Sequence, residues 1–210
     1  MIEDNIQVLR QAARATSNNV SEKVWCVIAG NDELVDDMAY KAIASKHSIK
    51  ILFREHVILK ENRIDKKFDF IMLNGNSKKI DELKHSCKEN GGAFIQISPY
   101  YLSEEPNLMV LVAPDNIIRS FVSTIERNKI PFAILLEDQT TGFIETDLSS
   151  NIRLPKFLKT VFKPLYNVSD VVLSTILISV EDEKDVTKVQ SIATSNKIFV
   201  IDFKDIDMED

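Results

Sequence analysis

Short apolar runs alternate with amphipathic stretches along most of the chain, and this alternation restricts the fold more than any other feature of the sequence. KVWCVIAG (23–30), IKILF (49–53), FDFIMLN (68–74), AFIQIS (93–98), LMVLVAP (108–114) and IPFAILLED (130–138) have the length and character of buried strands. Between them, NDELVDDMAYKAIASKH, SKKIDELKHSCKEN and DNIIRSFVSTIERN place apolar residues at helical spacing. Asn31 or Asp32 caps the first of these helices, with acidic residues in its first turn, and Gly91-Gly92 closes the second. Strands that are apolar throughout, each followed by a helix, predict a parallel sheet buried on both faces. Right-handed crossovers then give an α/β fold with a doubly wound, mostly parallel sheet built from repeated βα units.

The stretch EDNIQVLRQAARATS, with Ile6, Leu9 and Ala13 at helical spacing, predicts an N-terminal helix over 1–23. An α/β domain is expected over 24–128, and a second, partial α/β region over 129–210. The loop near 138–155, rich in Thr, Asp, Ser and Asn, is the aperiodic stretch best suited to a boundary. VLVAPDNIIRSFVSTI (110–125) and VFKPLYNVSDVVLSTI (161–176) echo one another: strand, Pro, polar turn, then an apolar helix ending in Ser-Thr-Ile. Duplication and convergence of simple βα grammar account for the echo equally well.

Composition removes several function classes. A net charge of −6 and a pI near 5.2 argue against nucleic acid as a main partner, since phosphate binding needs clustered Lys and Arg. The longest apolar stretch, VVLSTILISV (171–180), is about half a membrane span, so neither a membrane partner nor a signal peptide is expected. Cys26 and Cys87 share no CxxC spacing and read as buried thiols of a protein in a reducing cytoplasm. His47, His56 and His85 have no paired spacing, so no metal site is expected. With five glycines, no GxGxxG and no GxxxxGK[ST], no nucleotide cofactor is expected either.

Two stretches carry a resemblance. VFKPLYNVSDVVLSTI is similar to the end of a response-regulator receiver domain, where a strand delivers Lys-Pro ahead of a helix, here Lys163-Pro164. ILISVEDEKDVTKVQ resembles the receiver opening, a strand ending in an acidic pair, here Glu181-Asp182. A fuller receiver-like order runs over 24–128. It places Asp32 and Glu33 as the acidic pair, Asn74 at the phosphoacceptor position, Ser98 at the hydroxyl position and Ala113 where the family has lysine. The resemblance implies a flavodoxin-like sheet and, through its departures, a pseudo-receiver. An amide at Asn74 is a poor nucleophile and Ala113 supplies no cation, so phosphotransfer is not expected. The implied role is a non-catalytic regulatory module in signal transduction, acting through a protein partner or self-association.

Two other readings compete. Over 66–146, βαβ followed by βαβ also fits a ferredoxin-like unit, similar to the activation segment of zinc carboxypeptidases. CKENGGAFIQIS is compatible with a degenerate methyltransferase-like enzyme. For a partner surface, RLPKFLKTVFKPL offers Arg153, Lys156, Lys159 and Lys163 beside Phe157 and Phe162, and SPYYLSEEP offers Tyr100 and Tyr101.

Overall fold

The computed structural model describes residues 22–61, 64–105, 107–140, 145–147 and 172–205. A first unit runs β1 (Lys23–Gly30), α1 (Asp32–Ala44), β2 (Ile49–Glu61), β3 (Ile64–Asn76), α2 (Ser77–Glu89) and β4 (Ala93–Ile97). The short helix α3 (Pro99–Glu104) leads into a second unit. This runs β5 (Leu108–Pro114), α4 (Asp115–Arg127), β6 (Phe132–Gln139), then β7 (Glu145–Asp147), β8 (Leu173–Val180), α5 (Glu183–Ser195) and β9 (Phe199–Asp202). Strand order is β2-β3-β1-β4 in the first sheet and β6-β8-β5-β9 in the second. Every pairing is antiparallel. Each unit is therefore a ferredoxin-like βαββαβ arrangement. β7 crosses between them, pairing with β3 of the first unit at Lys66↔Thr146.

The doubly wound parallel sheet expected from the sequence is thus incorrect, and the reason is physical. Fully apolar strands report burial on both faces, not strand direction. Here helices cover one face of each sheet and the other unit covers the opposite face. Val27, Phe70 and Ile95 meet Val110, Leu177 and Ile201 in a core between the sheets. On the helix side of the first sheet, Cys26, Ile71 and Leu73 pack with Leu34, Met38 and Ile80. Met109, Leu111 and Ile176 pack with Phe121, Ile125 and Val189 in the second. Four layers result, helix–sheet–sheet–helix, and each strand is apolar twice over.

The second cause of the error lies at β2. The apolar run ends at Phe53, but the strand continues through Arg54-Glu55-His56 to Glu61 and turns directly into β3. So short a connection forces an antiparallel hairpin. The Asn74-Gly75-Asn76 stretch is likewise no tight turn. β3 runs through it, and Asn76 caps α2, its side-chain oxygen accepting from the Lys78 N–H at 2.9 Å. Gly75 is needed for close approach: a Cβ there would stand 2.6 Å from the Ser48 carbonyl oxygen. Gly91 takes φ 75° after α2, a helix stop that glycine adopts freely.

Residues 1–21, including most of the expected N-terminal helix, lie outside the described residues. The division expected at 128/129 falls inside the second unit, between α4 and β6. The ferredoxin-like frame expected over 66–146 straddles both units, which begin instead at Lys23 and Leu108. The internal repetition relates these two units. The echo over 161–176 is not its basis, since Leu173–Val180 is a strand where a helix was expected and 161–171 lies outside the described residues. A polar clip joins the units: Asp138 of β6 accepts from the backbone N–H of Phe94 on edge strand β4 at 2.5 Å and pairs with Lys88.

Candidate functional site

Asp69 lies in β3 between Phe68 and Phe70, both of which join the core between the sheets. Side-chain alternation therefore turns Asp69 to the helix side with Ile71 and Leu73. It is only 2% exposed. A carboxylate taken out of water costs several kcal/mol unless hydrogen-bond donors meet it. β2 supplies them from two residues spaced on one face. Arg54 Nη2 donates to Oδ2 at 2.5 Å, and His56 Nδ1 pairs with Oδ1. Arg54 Nη1 also reaches Asp36 on α1, tying the hairpin to the helix. The hydrogen bond to Asp69, followed by the contact with Asp36, holds the guanidinium above its already high range despite partial desolvation. With Nδ1 donating to Asp69, the neutral His56 ring carries its lone pair on Nε2.

Beside this cluster lies a cavity of about 120 Å³ lined by Asp32, His56, Lys67, Phe68 and Asp69. Asp32 reaches it because β1 ends at Gly30 and Asn31 starts α1, its Oδ1 accepting from the Leu34 N–H at 2.8 Å. The lining brings two carboxylates, an imidazole and an ammonium to one small space. Among the described residues, no group of three or more His, Cys, Asp or Glu is placed to hold a metal ion.

Of the positions singled out in the sequence, only Asp32 belongs to this cavity. β1 and β3 run antiparallel, with Gly30 opposite Asp69 and Trp25 opposite Asn74. Asn74 therefore sits at the opposite end of the sheet from the Gly30–Asp69 row that leads to Asp32, about 17 Å along the strand at 3.4 Å per residue. Asn74 donates to the Val24 carbonyl at 3.4 Å. Ser98 follows β4, whose Ile97 lies opposite Trp25, so it shares the Asn74 end and precedes α3. Ala113 belongs to the second sheet, buried against its helices. The flavodoxin-like geometry that would gather Asp32, Asn74, Ser98 and Ala113 is absent from these strands.

Glu33 is exposed on α1, and Glu181 follows β8. Asp182 caps α5 through the Lys184 N–H at 3.2 Å, and the Lys184 side chain holds its carboxyl below the usual range. Tyr100 is exposed, whereas Tyr101 packs against the core between the sheets. Lys163, Arg153, Lys156, Phe157, Lys159 and Phe162 lie outside the described residues. Cys26 and Cys87 are both fully buried on the helix side. Burial pushes both thiols up, Cys87 to about 12, so neither is a nucleophile in the native state.

Sequence reasoning missed Arg54, His56, Lys67 and Asp69. Two signals pointed to them: a lone carboxylate inside FDFIML, and Arg54 and His56 two residues apart, on one face of a strand.

No family model matches the chain, and no curated protein does. Among solved structures, it is similar to an unknown protein from Galdieria sulphuraria at 12% identity and TM-score 0.30, over 86% of this chain and 96% of that one. It is also similar to a proposed glycine cleavage system transcriptional repressor at 8% identity and TM-score 0.26, over 86% and 95%. Neither likeness reaches a level from which function transfers.

Proposed function

We propose that the protein is a non-catalytic regulatory binding module, that its first unit takes a small amphoteric ligand at the cavity beside Asp69, and that its output is contact with a protein partner. The observation that carries this reading is a buried carboxylate, fixed by Arg54 and His56, forming one wall of a cavity that Asp32 and Lys67 also line. Such a lining suits a molecule bearing both an ammonium and a carboxylate: Asp32, the remaining lone pairs of Asp69 and His56 Nε2 accept from the first, while Lys67 faces the second. At about 120 Å³, the space is well below the 300–1,000 Å³ of drug-sized sites, so it fits a few heavy atoms.

The same lining supports the non-catalytic reading. Asp69 is already held by two donors, and among the described residues the lining brings no hydroxyl or thiol to attack a substrate. The exposed Tyr100 is a suitable partner contact, since tyrosine is enriched at interfaces.

Thermal unfolding of the full chain with small zwitterions (glycine, β-alanine, taurine) tests the reading, with acetate and methylammonium as single-charge controls. A ligand at 100 times its Kd stabilises by about 2.7 kcal/mol. A zwitterion-specific rise in Tm that Asp69→Ala abolishes is expected. A rise equal in wild type and variant, or none across the panel, overturns it.

A further inference from the structure

The two units place equivalent residues at equivalent positions, and comparing them shows a second site. In the first sheet His56, Asp69 and Gly30 form one cross-strand row, two residues ahead of the first residue of α1, Asp32. In the second sheet Gln139, Ser174 and Ala113 form the same row, two residues ahead of the first residue of α4, Asp115. Both rows lie on the helix side: Ser174 alternates with Ile176 and Ile178, as Asp69 does with Ile71 and Leu73. Asp69 thus corresponds to Ser174, His56 to Gln139 and Asp32 to Asp115.

The chemistry of the two rows is opposite. In the first unit the central residue is an acceptor held by Arg54 and His56, and a cavity stands beside it. In the second unit Gln139 and Ser174 of the row are donors, and a carboxylate already meets them. Gln139 Nε2 donates to Asp115 Oδ1 at 2.8 Å and Ser174 Oγ to the same oxygen at 2.9 Å. Arg119 Nε donates to Oδ2 at 2.6 Å. Ser174 is fully buried. The N-terminus of α4 adds its dipole to the same carboxylate.

We infer that the second unit carries a carboxylate-binding site that is filled by the chain's own Asp115, so that only the first unit is open to a free ligand. Asp115 acts as a tethered ligand, and its covalent attachment gives it an effective concentration that a free small carboxylate does not match. The consequence of one ligand per chain rests on the function proposed above; the filled site does not, because its donors and its occupant are all within the second unit.

Removing the tethered carboxylate while leaving its donors tests this. Asp115→Ala in the full chain is expected to lower Tm, and added sodium formate, a free carboxylate small enough for the gap, is expected to restore it saturably. The gain at saturation should be about 5 °C in the variant and under about 1 °C in wild type. Sodium chloride at the same ionic strength should do neither, and adding Ser174→Ala and Gln139→Ala to the variant should abolish the rescue. Should Asp115→Ala not fold, Asp115→Ser carries the same test, because serine starts helices well. Equal formate effects in wild type and variant, or no rescue in a folded variant, overturn the inference without touching the first-unit site; loss of zwitterion binding in wild type overturns the first-unit reading and leaves this one standing.

Discussion

Asp69→Asn is the most informative single change, because its cost lies between two well-separated limits. Exposed ion pairs contribute about 0–1 kcal/mol, and breaking a fully buried pair costs about 3–5 kcal/mol. Asp69 is 2% exposed, but Arg54 and His56 are 36% and 49% exposed, so both donors regain water when the charge is removed. What is lost is mainly two charge-assisted hydrogen bonds, partly replaced by the carbonyl oxygen of Asn. A cost of about 2 kcal/mol follows, well above the surface limit and below the buried one. Urea unfolding of wild type, Asp69→Asn, Arg54→Met and the double variant gives the pair's coupling energy directly. We expect about 1–2 kcal/mol, with the second mutation costing much less once the first is present. A coupling below about 0.3 kcal/mol would mean that Arg54 does not hold Asp69, and the electrostatic account of the cavity would fail with it.

Three further outcomes follow from the same structure. Thr175 Oγ1 is buried with no hydrogen-bond partner among the described residues; Thr175→Val should therefore stabilise by about 1 kcal/mol, raising the urea midpoint at unchanged m-value, and a destabilised variant contradicts this. Both thiols are buried, and burial raises them above the ordinary thiol range, Cys87 to about 12. The unfolded chain thus loses those protons first, so stability present below about pH 9 should decline as pH rises from there toward 12, and native protein should resist thiol reagents until it unfolds. Asp138→Ala should leave the Phe94 N–H without its acceptor, costing about 1–3 kcal/mol, with faster hydrogen exchange at Phe94 as the direct readout.

Much of the secondary structure was readable, and the arrangement was not. The runs at 23–30 and 108–114 are strands as their composition indicates, the run at 93–98 is one through Ile97, and Asp32–Ala44, Ser77–Glu89 and Asp115–Arg127 are helices as their periodicity indicates. Strand direction left no trace, because Val27 and Cys26 are apolar for different reasons, one facing the other unit and one facing the helices. A period-two pattern disappears when both faces are buried. The hairpin was hidden by Arg54 and His56, polar residues that ended the apolar run while the strand continued. Those are the residues that meet the buried carboxylate of Asp69. Asp32 was noticed for its place after a strand, and it does line the cavity, but Asn74 drew attention for a turn that the structure does not make.

Backbone amide NMR of the full chain, titrated with a zwitterion that raises Tm, tests the ligand site most directly. Shift changes centred on Asp32, His56, Lys67, Phe68 and Asp69, and absent from Asp115 and Ser174, are what the account predicts. Saturable changes that cluster elsewhere, or that strike both units equally, would contradict it.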